Sequence, residues 1–215
     1  MRPRPKVTLK LATSLDGRIA TATGESQWIT GPAARARVHE LRAAHDAVVV
    51  GAGTALADNP LLTARAEPAP VRQPWRIVFS RTKALPIHLQ LFQSVGLGPV
   101  AVVGTGNTAS LGALGVLLIP APSNARASDM LEALAQETGI TSVLIEGGGV
   151  LAAALANEDR IDVLEWFRAP MLLGASGKPA IAGLGHDALS AAPRFQRTSV
   201  VELGSDLHET YVRAT

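Results

Sequence analysis

The sequence predicts an α/β protein with a mostly parallel central sheet, helices on both faces and an antiparallel hairpin at its C-terminal end. Short β-branched runs alternate with helical segments through most of the chain. Ala47–Val50 and Ser142–Ile145 have the apolar character of strands buried within a sheet. Two further strand-like runs, Thr198–Leu203 and Leu207–Val212, flank the turn residues Gly204-Ser205-Asp206.

Val7–Ser14 alternates threonine and lysine with apolar residues and reads as a strand that turns at Asp16-Gly17. The polar loop GESQWITG (Gly24–Gly31) follows. Thr30 suits an N-cap for a helix from Pro32 to about Ala44, because proline is tolerated in a first helical turn. In that helix Val38 and Leu41 face the core and the charged residues take the other sides. Ala47–Val50 then ends at Gly51-Ala52-Gly53, and Asp58 before Asn59-Pro60 reads as a turn or cap residue. The proline- and alanine-rich 66–73 segment is a loop. Trp75–Phe79, Pro99–Val103 and Val116–Ile119 are strands. Ala127–Glu137 is an amphipathic helix with Ser128 as its cap, and a helix over Val150–Ala156 follows Ser142–Ile145. Val163–Ala169 returns as a strand. With 215 residues and no internal repeat, one domain is the simplest expectation.

Hydrophobic residues make up 47% of the chain and charged residues 18%, an ordinary globular balance. The formal charge is only +2, the basic residues are scattered and aromatics are 4%. This argues against a nucleic-acid reader, which shows a basic stripe. A small phosphorylated ligand needs only a few local arginines. The absence of cysteine excludes disulfides, cysteine–zinc sites and thiol catalysis, and fits a cytoplasmic protein. The charged start MRPRPKVTLKL does not lead into a signal peptide, and no apolar span approaches the ~20 residues of a membrane helix.

Ile145-Glu146-Gly147-Gly148-Gly149 stands between a strand and a helix. Glycines let backbone N–H groups approach a ligand, and a helix N-terminus favours an anion, so this is a diphosphate cradle or a tight turn. An acid such as Glu146 at the end of a buried strand needs a partner. A second pattern, Gly104-Thr105-Gly106-Asn107-Thr108-Ala109, formally fits G-x-G-x-x-G/A. A poor helix follows it and Asp129 is only loosely placed for a ribose, so it reads as a loop rather than a dinucleotide fingerprint. Ser26, Arg42 and Arg65 sit at or near element ends; an arginine fork matches two phosphate oxygens, although a solvated arginine is the plainer reading of each. Lys10, inside an apolar strand, is either a snorkelling lysine or a partly buried cation that contacts a sugar hydroxyl or polarises a carbonyl or imine. The five histidines lack metal spacing and have no assigned role. Without an obvious nucleophile the chemistry points away from covalent catalysis, whereas hydride transfer is carried by a cofactor.

These residues together resemble a known family. VTLKLATSLDGRIAT (Val7–Thr21), GESQWITG, the LR of Arg42, VGAGTALADNPLLTAR (Val50–Arg65), LIEGGGVLAAAL (Leu144–Leu155) and APMLLG (Ala169–Gly174) are similar to the reductase domain of the bifunctional riboflavin biosynthesis proteins. The resemblance implies a dihydrofolate-reductase-like fold and 5-amino-6-(5-phosphoribosylamino)uracil reductase activity. NADPH would pass hydride to C1 of the ring-opened sugar, leaving a ribitylamino chain. By the family pattern Lys10, Ser26, Arg42, Asp58, Leu62, Arg65 and Glu146 line the substrate. Within that set Lys10 and Asp58 are the catalytic candidates, Arg42 and Arg65 suit the phosphate, and Glu146 suits the uracil or sugar edge. Ala12, Trp28, Thr54, Asp58, Ser80 and the segment Gly148, Gly149, Val150, Leu151, Ala152, Ala153 and Ala154 contact the dinucleotide. Arg81, just after a strand, is a further candidate for the 2′-phosphate, where an NAD site would favour an acid.

The family often has Asp-Asp-Pro where this chain has Asp58-Asn59-Pro60. Its bifunctional members carry a zinc deaminase, which needs H-x-E and a cysteine pair; this sequence has neither. The expectation is a reductase without metal, either stand-alone or cut from a longer protein, supplied by a separate deaminase. The family also implies a homodimer, while composition and hydropathy argue against a nucleic-acid or membrane partner. The alternatives are a reductase of the same fold with another substrate, and a nucleotide-binding protein without catalysis.

Overall fold

A computed structural model describes residues 4–68, 71–105 and 109–214. The strands are β1 (Lys6–Thr13), β2 (Arg18–Ala20), β3 (Ala47–Gly51), β4 (Trp75–Phe79), β5 (Val100–Val103), β6 (Leu117–Ile119), β7 (Ser142–Ile145), β8 (Val163–Arg168), β9 (Lys178–Pro179), β10 (Phe195–Leu203) and β11 (Asp206–Arg213). The helices are α1 (Pro32–Ala44), α2 (Ala52–Asp58), α3 (Gln90–Gln93), α4 (Ala109–Gly112), α5 (Ala127–Thr138) and α6 (Gly149–Asn157). The chain divides into two compact units. One comprises His39–Gly147 with the N-terminal residues through Lys6, and the other Val7–Val38 with Gly148–Thr215.

In the first unit the strand order is β7-β3-β4-β5-β6, every neighbour parallel. Val49 stands beside Ile77 and Ile145, and Ile77 beside Ala101. These four side chains are fully buried, which is why the strands read as apolar runs and not as alternating ones. Parallel strands need crossover connections, and the intervening helices supply them.

In the second unit the order is β10-β11-β8-β1. β1 and β8 are parallel, while β11 lies antiparallel to both β8 and β10. The C-terminal hairpin is thus present, with its turn at Gly204-Ser205; the φ of +70° at Gly204 is natural for glycine. β2 and β9 form a separate antiparallel pair.

The sequence reading missed α2 altogether, because two glycines in Gly51-Ala52-Gly53 argue locally against a helix. In the structure Gly51 is its extended N-cap. Asp58 is its last residue, and Asn59 closes it in the left-handed region with its N–H on the Ala55 carbonyl. Two cap expectations also shift. Gly31, not Thr30, directly precedes α1; its carbonyl accepts the Arg35 N–H and its own N–H donates to Asp206. At α5 the cap position is Arg126, whose backbone N–H donates to the Asp129 carboxylate, while Ser128 lies buried inside the helix.

Candidate active site

The parallel direction of β3, β4, β5 and β7 brings their carboxyl ends to one edge of the first unit. In open α/β sheets ligands bind outside those ends. Thr54 follows β3 in the first turns of α2, Ser80-Arg81 follow β4, Gly104-Thr105 follow β5 and Glu146 follows β7. A Cβ at Gly104 would stand 1.9 Å from the Ser80 carbonyl, so only glycine lets the ends of β4 and β5 meet so closely. The Ser80 hydroxyl is committed to the Lys83 carbonyl at 2.6 Å, and Arg81 is exposed. The remainder of the glycine pattern there, Gly106 to Thr108, lies outside the described residues.

Arg42 and Glu146 form a bidentate pair: Nε donates to Oε1 at 2.7 Å and Nη2 to Oε2 at 2.8 Å. Their side chains are only 14% and 9% exposed, which answers the requirement that a buried acid have a partner. Burial works against the Arg42 charge, but the Glu146 carboxylate outweighs it and holds the guanidinium pKa above its ordinary value. Arg42 Nη1 also donates to the Thr63 carbonyl at 3.0 Å. His39 Nδ1 meets the same carbonyl at 3.2 Å, and its Nε2 stands 3.2 Å from Arg65 Nη2. Burial first, then the fields of Arg42 and Arg65, lower the His39 pKa. Of the two arginines read as phosphate ligands, Arg42 spends its fork on Glu146, whereas Arg65 is exposed.

The 59–65 loop that carries Leu62 and Arg65 is pinned along its length. Asn59 Oδ1 accepts the Gln90 N–H, Arg76 donates to the Leu61 carbonyl, and the Gln73 amide bonds both N–H and C=O of Ala64. Leu62 is 2% exposed with φ +57°, an uncommon conformation for leucine that such a clamped loop can maintain. Arg76 is fully buried in β4 and also donates to Ser94 Oγ and to the Ser94 and Gly98 carbonyls. Sequence reasoning overlooked Arg76, Gln73 and His39. The available signal was a charge within the apolar strand WRIVF, where a cation needs several acceptors.

In the second unit Lys10 on β1 stands in register with Glu165 on β8, and its Nζ lies 5.8 Å from the Phe167 ring centroid. Ala12, two residues on, shares the Lys10 face of the strand. Glu165 accepts from Thr210 at 2.8 Å and bonds His208 Nε2 at 2.6 Å. Burial raises the Glu165 pKa, but these bonds and the nearby Arg37 leave it below the ordinary value. Trp28 is 67% exposed, with the Arg35 guanidinium 4.5 Å above its ring. The Ser26 carbonyl accepts the Ile29 N–H within the same loop. Asp16, bonded by Ser14 Oγ and then by the Leu173 and Gly174 N–H groups, has its pKa lowered to about 2 and ties down the APMLLG segment.

Gly148 is the N-cap of α6, and no acid occupies the first turn. The close approach at Gly149 is filled by protein: a Cβ there would stand 2.6 Å from the Pro179 carbonyl. Ala152 and Ala153 are buried, while Val150 is 75% exposed. Any anion at this helix would therefore meet first-turn N–H groups and not the alanine side chains. No helix among the described residues is long and apolar enough to cross a membrane.

The family model for the RibD C-terminal domain matches residues 5–209. The riboflavin biosynthesis protein RibD of Bacillus amyloliquefaciens is 33% identical over 97% of this chain, which spans 57% of that protein's length. The 2,5-diamino-6-ribosylamino-4(3H)-pyrimidinone 5′-phosphate reductase of Methanothermobacter thermautotrophicus is 32% identical, matching 97% of this chain and 98% of its own. The solved RibD structure from Acinetobacter baumannii superposes with a TM-score of 0.89 at 32% identity, covering 99% of this chain and 59% of that one. A dihydrofolate reductase from Enterococcus faecalis, at TM-score 0.56 and 17% identity, shows the shared fold alone.

Proposed function

The chain belongs to the RibD C-terminal domain family, and from that premise we propose that it is an NADPH-dependent reductase of 5-amino-6-(5-phosphoribosylamino)uracil. The product would be the ribitylamino compound of riboflavin biosynthesis. The observation that carries the reading is the cluster in which a buried Arg42–Glu146 pair and an exposed Arg65 share the Thr63 region. It offers a fixed carboxylate for hydroxyl or N–H donors and an available fork for a phosphate monoester.

In the ring-opened substrate the C1–nitrogen double bond takes hydride at carbon and a proton at nitrogen. NADPH would supply that hydride when bound. The α6 N-terminus, free of acids in its first turn, fits a diphosphate, and the exposed Arg81 fits a 2′-phosphate. Ala12, Trp28, Thr54 and Ser80 complete the proposed cofactor set. Arg65 would hold the phosphate, and Arg42 would orient Glu146 toward the pyrimidine or sugar. Lys10 would favour the charge change at C1, with Ser26, Asp58 and Leu62 positioning the substrate. We further assign the chain to the cytoplasm, as a homodimeric reductase that takes the product of a deaminase as its substrate.

A second reading is favoured by the Methanothermobacter relative matched along nearly its whole length. In it the substrate still carries the 2-amino group, so reduction precedes deamination. The test is to mix purified chain, NADPH and either pyrimidine, and follow the nicotinamide absorbance. Substrate-dependent loss with the uracil supports the first reading, and loss with only the diamino compound supports the second. Cofactor binding with no turnover of either would sink both.

A further inference from the structure

We propose that His39, held as its Nδ1–H tautomer, is the positioning residue that aims Arg65 at the phosphate of a sugar-phosphate ligand. This rests on Arg65 being the phosphate clamp of the function proposed above. The geometry is specific about the proton. The Thr63 carbonyl, 3.2 Å from Nδ1, can only accept, so Nδ1 carries the hydrogen. Arg65 Nη2, 3.2 Å from Nε2, can only donate, so Nε2 presents its lone pair. The imidazolium satisfies only the first contact, and the Nε2–H tautomer satisfies neither. The charged groups that act on the ring agree. Burial and the cations Arg42 and Arg65 disfavour protonation, opposed by the Thr63 carbonyl and the more weakly acting Glu146.

The chain builds this arrangement economically. His39 and Arg42 are three apart on α1 and therefore share a face, and both donate to the Thr63 carbonyl. Arg65 follows Thr63 by two residues on the pinned loop. An exposed arginine loses considerable rotamer freedom when it binds a phosphate. One acceptor on Nη2 restricts the side chain beforehand and leaves the rest of its fork for phosphate oxygens.

Nitrogen-15 NMR of the unsubstituted chain at neutral pH reads the tautomer directly, whatever reaction the protein catalyses. A protonated Nδ1 with a bare Nε2 is expected; the other tautomer or an imidazolium overturns the proposal. Calorimetric titration with ribose 5-phosphate reads the consequence. His39→Asn keeps a donor near Nδ1 but has no acceptor at the Nε2 position, whereas His39→Gln restores one. Asn should weaken binding by about tenfold and Gln by less than about threefold, the scale of one hydrogen bond to a charged group. In an Arg65→Ala background His39→Asn should have no further effect. Equal losses with Asn and Gln, a loss that persists without Arg65, or no ribose 5-phosphate binding by the unsubstituted chain would each overturn it. Intact ribose 5-phosphate binding without NADPH turnover would instead refute the proposed reaction and leave the His39 assignment standing.

Discussion

Arg42 and Glu146, separated by 104 positions, meet in a two-point ion pair that joins the end of α1 to the end of β7. Breaking it on one side strands a largely buried charge. Glu146→Gln should destabilise the protein by about 3 kcal/mol, the low end for a broken buried pair because some exposure remains. Arg42→Lys keeps the charge but loses the fork, and should cost about 1–2 kcal/mol. Urea denaturation checks both, and a double-mutant cycle should give a coupling above about 1 kcal/mol. Substrate-dependent NADPH oxidation should fall further with Glu146→Gln than its stability loss accounts for.

Arg76 makes a second prediction. Its two guanidinium NH2 groups donate to Ser94 Oγ and to the carbonyls of Leu61, Ser94 and Gly98, while Nε is buried without a partner. Burial lowers its pKa, as expected for a cation held by neutral acceptors. Arg76→Met keeps much of the apolar stem and leaves those carbonyls without their donor. The expected loss is about 2–4 kcal/mol. Amide hydrogen exchange should quicken through the 59–65 loop before it changes in β5.

Asp46 should give stability a low-pH edge. Its carboxylate accepts from the backbone N–H and hydroxyl of both Thr141 and Ser142, and pairs with Arg72. Burial opposes ionisation, but these donors prevail and place its pKa well below the ordinary 3.8. A depressed folded-state pKa means that the contribution is complete above the unfolded value and is lost as pH falls toward the folded one. The urea midpoint should therefore decline as pH drops below about 4, and Asp46→Asn should flatten part of that decline while lowering the midpoint at neutral pH.

Gly149 offers a test of packing at α6. The Cβ of Gly149→Ala would be driven to 2.6 Å from the Pro179 carbonyl, backbone that must move to make room. Alanine ordinarily improves a helix by up to ~1 kcal/mol, so a net loss of about 1–2 kcal/mol would identify the clash as dominant. Thermal unfolding measures it. NADPH affinity should fall in parallel, because the displaced residues pack against the first turn of the proposed cofactor helix.

Several elements were legible because their causes are local. Trp75–Phe79 and Ser142–Ile145 coincide with β4 and β7, since a buried parallel strand is rich in apolar and β-branched residues, even with Arg76 inside the first. The α2 helix was illegible because its glycines oppose helix locally, and its Asn59 cap and fold context overrule them. Among the site residues, Glu146 announced its need for a partner by its place at a strand end, but its sequence did not say which arginine would answer.

By itself, the sequence determined the alternating α/β pattern, the C-terminal hairpin and the co-ordered motifs shared with a reductase family, all of which depend on residue type and short-range spacing. Only the tertiary structure decided that Arg42 is spent on Glu146 while Arg65 remains exposed beside His39, and that Arg76 pins the loop between them. Hydrogen-bond partners are set by distance and direction between elements far apart in the chain, and neither can be read from residue types and spacing alone.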